Sequence, residues 1–258
     1  MNVRDLFNLN NGTALVTGGA GVYGSAICDA LAEAGAHVIV ASRDHEQCQS
    51  RAEELLNRGL RASADFYDQS SEASILELRD RILQYFGSPD ILVNNAVSRS
   101  MRSFHDPLEA WRESMDVNAT GLFAISRAFL LPMMERGRGT LINIGSIQSV
   151  VAPDFGNYSG TDLTTSPDYH FHKHGLIGLT KYLAAWAGHR GIRVNAISPG
   201  GFRMPDHPKP FVSQYCRRVF LKRMAEYDDI KGVVVFLASE ASRYVTGQNI
   251  IMDGGYTC

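Results

Sequence analysis

At 258 residues, 45% hydrophobic and 20% charged, the chain has the size and composition of one α/β domain with an ample core. A net charge of −2 excludes general attraction to nucleic acid or anionic membrane. The opening stretch MNVRDLFNLNNG has no apolar signal core, and no apolar run approaches the roughly 20 residues of a membrane helix. Cys28, Cys48, Cys216 and Cys258 show no C-x-x-C spacing, which argues against disulfides and zinc. The expectation is a soluble, reduced, cytoplasmic protein.

Residues 13–17 form a β-branched and apolar run that predicts a buried strand. Gly18, Gly19 and Gly21 break it, and from Val22 the positions Val22, Ala26, Ile27, Ala30, Leu31 and Ala34 recur at helical spacing. Gly35 closes that helix, and residues 37–41 predict a second buried strand. Such a βαβ unit gathers free backbone N–H groups at the positive end of a helix dipole, where phosphate binds. The function therefore starts from a dinucleotide, with Gly18, Gly19, Gly21, Val22, Tyr23 and Gly24 as its phosphate loop. The acidic residue that would grip the adenosine ribose about 20 residues further on is missing. Ser42 and Arg43 stand in its place. A hydroxyl and a guanidinium hold a 2′-phosphate that a carboxylate would repel, so NADP(H) is expected over NAD(H). The alternative is that Arg43 points into solvent.

Residues 44–58 predict a helix capped by Asp44 and stopped by Gly59, followed by a strand at 60–64 and an amphipathic helix at 70–86. A strand follows at 90–94, a largely helical stretch at 107–134 and a strand at 139–145. After a long connection come a helix at 167–189, a strand at 191–197, helices at 209–221 and 228–239, and a last strand at 248–252. This alternation predicts a doubly wound, mostly parallel sheet covered on both faces, a single-domain Rossmann fold spanning residues 1–258. Ligands of such sheets sit outside the carboxyl ends of the strands. Those ends hold Asp65, which either accepts from an adenine amino group or starts the next loop, with Phe66 beside it, then Asn95 and Ala96 beside Asn94, then Ser146, and finally Pro199, Gly200, Gly201 and Phe202. The amides of Asn94 and Asn95 need partners and are expected to tie neighbouring strands together beside the cofactor.

Ser146 alone reads as turn chemistry. The following helix carries Tyr169 and Lys173, an i, i+4 pair on one face. A phenol titrates near pH ~10, and an adjacent ammonium stabilises its phenolate. Tyr-x-x-x-Lys thus suits proton transfer to or from a substrate oxygen that Ser146 can also hydrogen-bond.

With these residues together the chain resembles the short-chain dehydrogenase/reductase family nearly end to end. The likeness runs through TGGAGVYG, Asp65, NNA at 94–96, Asn118-x-x-Gly121, Ser146, Tyr169-x-x-x-Lys173, PG at 199–200 and GQNIIMDGG at 247–255. The resemblance implies that Ser146 orients the substrate and Tyr169 is the general acid/base. It implies that Lys173 assists the tyrosine and holds the nicotinamide ribose, and that Asn118 keeps a relay water. Seven parallel strands and a homotetramer or homodimer are also implied. Val22 stands where the family's glycine loop has its middle glycine, as in a subset resembling sugar-acid oxidoreductases, and Val97 replaces the glycine of NNAG.

The span from Ser146 to Tyr169 is roughly ten residues longer than is usual in the resembled family. The extra stretch, 153–167 (PDFGNYSGTDLTTSP), is polar and lies next to the reacting centre. It reads either as a pocket for a hydroxyl-rich ligand, with Gln148, Asn157, Tyr158, Thr161 and Arg203 as substrate contacts, or as a surface elaboration. This segment and SPGGF…LKRMAE most resemble members that make or modify bacterial surface sugars, including nonulosonic acids. Arg203, Lys209, Arg217, Arg218, Lys222 and Arg223 surround a lid at about 201–223, opposed only by Asp206 until Glu226. They suit an anionic sugar or are a solvated face. Only His170 and His174 of the three nearby histidines share a helix face, and no further ligand completes a metal set; a subunit interface is their expected place. Trp111 and Trp186 are expected in the core or at an interface.

The expected activity is NADP(H)-linked interconversion of a secondary alcohol and a ketone on a sugar, sugar acid or nucleotide-linked sugar. The competing readings are a non-catalytic dinucleotide sensor or scaffold, and a family member acting on an apolar steroid or acyl substrate, against which the polar insertion argues.

Overall fold

The computed structural model describes residues 2–258. A short helix α1 (Val3–Leu6) precedes β1 (Thr13–Thr17), α2 (Val22–Glu33), β2 (His37–Ser42), α3 (His45–Asn57), β3 (Ala62–Phe66) and α4 (Glu72–Phe86). The second half runs β4 (Ile91–Asn94), α5 (Leu108–Met115), a π-helical turn (Asp116–Gly121), α6 (Leu122–Arg136) and β5 (Gly139–Ile144). It ends with α7 (Pro167–Ala187), β6 (Ile192–Pro199), α8 (Lys209–Arg218), α9 (Lys231–Ala238) and β7 (Asn249–Met252). The seven strands form one sheet in the order β3-β2-β1-β4-β5-β6-β7, every pair parallel.

Strand alternation builds the two core layers. Ala14, Val16, Val38, Val40, Ile91 and Val93 face α2, α3 and α9 on one side. Leu15, Ile39, Leu92 and Leu141 face α4, α6 and α7 on the other. Because both faces are covered, the central strands are apolar throughout, as parallel strands must be. The strand order reverses between β1 and β4, and the crevice that opens there is the usual ligand site of this architecture.

The third strand differs from the sequence reading. Leu60 N–H closes onto Leu55 C=O and Gly59 N–H onto Leu56 C=O, with Gly59 at φ +75°. This Schellman closure uses Leu60 to end α3, so β3 starts two residues later and carries Asp65 and Phe66 inside it. The stretch 108–136 is helical as expected, with α5, the π turn and α6 making one continuous span of 29 residues. By length and composition alone, its most apolar 18-residue window, with a mean hydropathy of 1.3, could cross a membrane, contrary to the sequence reading. Half of its most apolar window is buried, through residues such as Ile125, Phe129 and Met133 against the sheet and α4.

Candidate active site

The glycine turn after β1 is shaped by close backbone approach. Gly18 has φ +61°, and a Cβ there would lie 2.9 Å from Ala96 Cα. A Cβ on Gly24 would lie 2.1 Å from Gly18 O, so only hydrogen lets the first turn of α2 close over the loop. Thr17 Oγ1 donates to Val93 O and accepts from the N–H groups of Asn95 and Ala96. Asn95 Nδ2 donates to the carbonyls of Thr17 and Gly18, and Asn94 Nδ2 to Asn143 Oδ1 at 2.8 Å. The two asparagines thus stitch β1, β4 and β5 together at the crevice. Gly21 caps α2 without a side chain, leaving its first N–H groups facing the loop. Val22 is half exposed.

Beside this loop a pocket of about 220 Å³ is lined by Gly18, Ser42, Arg43, Asp44, Asp68, Gln69, Ala96 and Val97, among others. Ser42 and Arg43 therefore stand in the predicted place. Ser42 Oγ is bonded locally to Asp44 O and Cys48 Sγ, and Asp44 turns its carboxylate onto its own helix, accepting from Gln47 N and Nε2. Asp65 and Phe66 do not line the pocket. Asp65 pairs with Arg81 at 2.8 Å on the outer side, and Phe66 is exposed. The residues that emerge there are Asp68 and Gln69, three positions later, because the late start of β3 shifts its end. Against the effect of partial burial, hydrogen bonds from Ser70 and the charge of Arg43 hold the Asp68 carboxyl below its usual range. The donor-rich glycine turn and this pocket fit an NAD(P) dinucleotide.

Next to it lies a cleft of about 470 Å³ whose lining includes Tyr23, Arg99, Ser146, Gln148, Tyr158, Thr165, Tyr169, Lys173, Gly200 and Phe202. Pro167 at the start of α7, after Ser166, fixes the helix origin, so Tyr169 and Lys173 face the carboxyl end of β5. Ser146 Oγ accepts from Gln148 N at 3.2 Å, which leaves its proton free to donate into the cleft. Lys173 is buried, donates to Ile144 O at 2.6 Å, and lies 5.7 Å from the Tyr169 ring centroid. Burial, helped by the charge of Arg99, lowers its pKa from 10.5 to about 7. Tyr23 donates to Gly200 O at 2.9 Å and meets Phe202 edge-on, holding the turn after β6 against the glycine loop. Burial, reinforced by Lys173 and Arg99, pushes His172 down to about 3, and its ring stands edge-on 5.3 Å from Tyr169.

The Lys173 shift carries a stability prediction. Between pH 7 and about pH 10 the unfolded chain holds a proton on this lysine that the folded chain does not. Stability should therefore rise through that window, by up to about 1.4 kcal/mol per pH unit, and the rise should be absent in Lys173→Met. Urea unfolding of both proteins at pH 7 and pH 9 measures the difference; equal pH dependence would show that the lysine is not depressed.

Several expected contacts lie elsewhere. Asn118 is buried outside the cleft. Its Oδ1 accepts from Ser98 N, and its Nδ2 donates to Ser98 O and Ser114 Oγ, so its amide is spent on anchoring the loop after β4. Asn157 donates to Tyr256 Oη at 2.7 Å and Thr161 closes a turn onto Tyr158 O, so both hold the insertion rather than line the cleft. Arg203 is exposed and outside the lining. Of the lid cations, Arg218 pairs with Asp154, a counter-charge that sequence distance concealed, and Arg223 pairs with nearby Asp229. The insertion does reach the cleft through Tyr158, Leu163, Thr164 and Thr165. Arg99, which the sequence reading passed over, lies with its guanidinium carbon 3.8 Å over the Tyr169 ring. Its position five residues past the end of β4 was the available signal. His170 meets Thr165, and His174 is exposed. Trp186 is exposed on α7, while Trp111 packs on Phe171.

The family model described as enoyl-(acyl carrier protein) reductase matches residues 20–257. The chain is 31% identical to gluconate 5-dehydrogenase of Gluconobacter oxydans, across 100% of this chain and 99% of that one. It is 36% identical to 2-dehydro-3-deoxy-D-gluconate 5-dehydrogenase of Bacillus subtilis, across 98% of each. Among solved structures, a gluconate 5-dehydrogenase from Burkholderia cenocepacia J2315 in complex with NADP and tartrate superposes with a TM-score of 0.90 at 31% identity, covering 99% of both chains. With the sheet order, the glycine turn and these likenesses in agreement, the chain belongs to the short-chain dehydrogenase/reductase family of NAD(P)-using oxidoreductases.

Proposed function

We propose that the protein interconverts a secondary alcohol and a ketone on a sugar or sugar acid, with NADP(H) as its preferred cofactor and Tyr169 as general acid/base. The observation that carries this reading is the convergence of Ser146, Tyr169 and Lys173 on one cleft beside the dinucleotide pocket. Relatives named for gluconate and its deoxy-keto derivative, and a neighbour holding NADP and tartrate, support a hydroxy-acid substrate. When bound, the nicotinamide supplies the hydride donor or acceptor. Ser146 donates its free O–H to the substrate oxygen, and the Tyr169 hydroxyl gives or takes the proton at that same atom. Lys173, near its titration point at neutral pH, stabilises the phenolate in its ammonium form. Gln148, Tyr158 and Thr165, already linked to one another, offer hydroxyl-binding groups on the facing wall.

The NADP preference rests on Arg43 in the pocket wall and on Asp44 being turned away onto α3. Arg43→Ala should weaken NADPH binding at least ten-fold, as loss of a charge-assisted phosphate contact does, and leave NADH binding nearly unchanged. Titration followed by nicotinamide fluorescence reads both; equal losses would remove the phosphate assignment. The redox reading is tested by incubating NADP⁺ with a panel of sugar acids and polyols and following absorbance of the reduced cofactor. Assembly into a homodimer or homotetramer is supported by the exposed apolar face of Leu108, Phe171, Tyr182 and Trp186 on α5 and α7.

A further inference from the structure

We propose that Arg99 is the receptor for a carboxylate on the substrate, so that the cleft takes hydroxy acids whose carboxylate lies a few bonds from the carbon that meets Tyr169. The inference rests on the redox reading above and narrows its substrate class. The guanidinium lies face-on over the Tyr169 ring, 3.8 Å from its centroid. Face-on stacking occupies the flat side of the group and leaves its in-plane N–H edge free, the edge that grips a carboxylate in bidentate fashion.

The charge balance of the cleft points the same way. None of the described residues lining it is acidic, while Arg99 and Lys173 both stand there. Among the described residues no carboxylate pairs with Arg99, in contrast to Arg218 and Arg223, each of which has an aspartate. The cost of this unbalanced charge is visible on Lys173, whose depressed pKa has Arg99 as its second cause after burial. An anion bound between the two would relieve it.

Arg99 is also held in place. Buried Asn118 of the π turn bonds Ser98 on both its N–H and its C=O, clamping the residue just before Arg99. The side chain, exposed like that of Arg203, therefore leaves a fixed backbone. Tyr169 serves two ends at once: its hydroxyl meets the oxygen on the reacting carbon and its ring face positions the cation. The distance between carboxylate and reacting carbon in the substrate is limited by the width of that one ring.

The test compares acids with the neutral polyols of the same skeleton: threonate with threitol, and gluconate with glucitol. Binding is measured by calorimetry on the full chain with and without NADPH; the reduced cofactor cannot oxidise an alcohol, so turnover does not enter. The wild type should bind at least one acid ten-fold or more tightly than its polyol. Arg99→Met should abolish that preference by weakening the acid while leaving the polyol unchanged, and Arg99→Lys should restore only part of it, because an ammonium neither stacks nor forks. A wild type without preference, including one that binds neither acid, or an Arg99→Met variant that keeps the preference, overturns the proposal. Failure of the redox reading shows separately, as no reduction of NADP⁺ by any of the four compounds.

Discussion

Replacing Tyr169 by phenylalanine is expected to lower turnover about 10³-fold, within the usual range for losing a positioned acid/base, with little change in NADPH affinity. The geometry makes this substitution selective. The ring keeps its contacts with the Arg99 guanidinium and the His172 edge, since neither uses the hydroxyl. Lys173 keeps its bond to Ile144 O, so the variant neither frees nor buries a new charge. What disappears is one O–H group in the cleft. Steady-state rates with the best sugar acid found, alongside a fluorescence titration with NADPH, separate chemistry from binding. Turnover within ten-fold of wild type would refute Tyr169 as the proton-transfer group and move attention to Ser146.

Gly24→Ala should abolish measurable cofactor binding and destabilise the fold by about 1–3 kcal/mol. The added methyl would sit 2.1 Å from Gly18 O, 2.8 Å from Gly19 Cα and 2.9 Å from Asn95 Nδ2. Two of those three atoms are backbone and the third belongs to the amide that holds the glycine turn, so no flexible side chain can yield. Opening the turn breaks the Asn95 bonds to Thr17 O and Gly18 O and moves the N–H groups that would meet phosphate. Urea unfolding and NADPH titration read the two effects. Val22→Gly is the control, because it removes a half-exposed side chain and inserts no atom into the turn; it should alter neither strongly. Cofactor binding that survives Gly24→Ala would show that the loop adapts.

Most of this was legible in the sequence, and what was missed has a common physical cause. The seven strands and the Tyr169–Lys173 face follow from periodicity, which is a local property. Asp65 and Phe66 were misplaced because Leu60 looks like a strand residue and is spent on ending α3, a choice made by Gly59. Asn157, Thr161 and Asn118 have the right chemistry for a site, but their partners, Tyr256, the Tyr158 carbonyl and the Ser98 backbone, are set by tertiary packing. The lid arginines seemed unopposed because Asp154 lies 64 positions from Arg218 in the chain. Arg99 carried no motif at all; only the fold brings it over the ring.

The half-titrated state of Lys173 has a calorimetric consequence. With a pKa of about 7, this amine exchanges with the buffer at neutral pH, and any ligand that changes the field around it changes its occupancy. An anion in the cleft raises its proton affinity, so the complex draws a fraction of a proton from solution as it forms. The heat measured in Tris, which releases protons endothermically, should then differ from the heat measured in phosphate, and the slope of heat against buffer ionisation enthalpy counts the protons taken up.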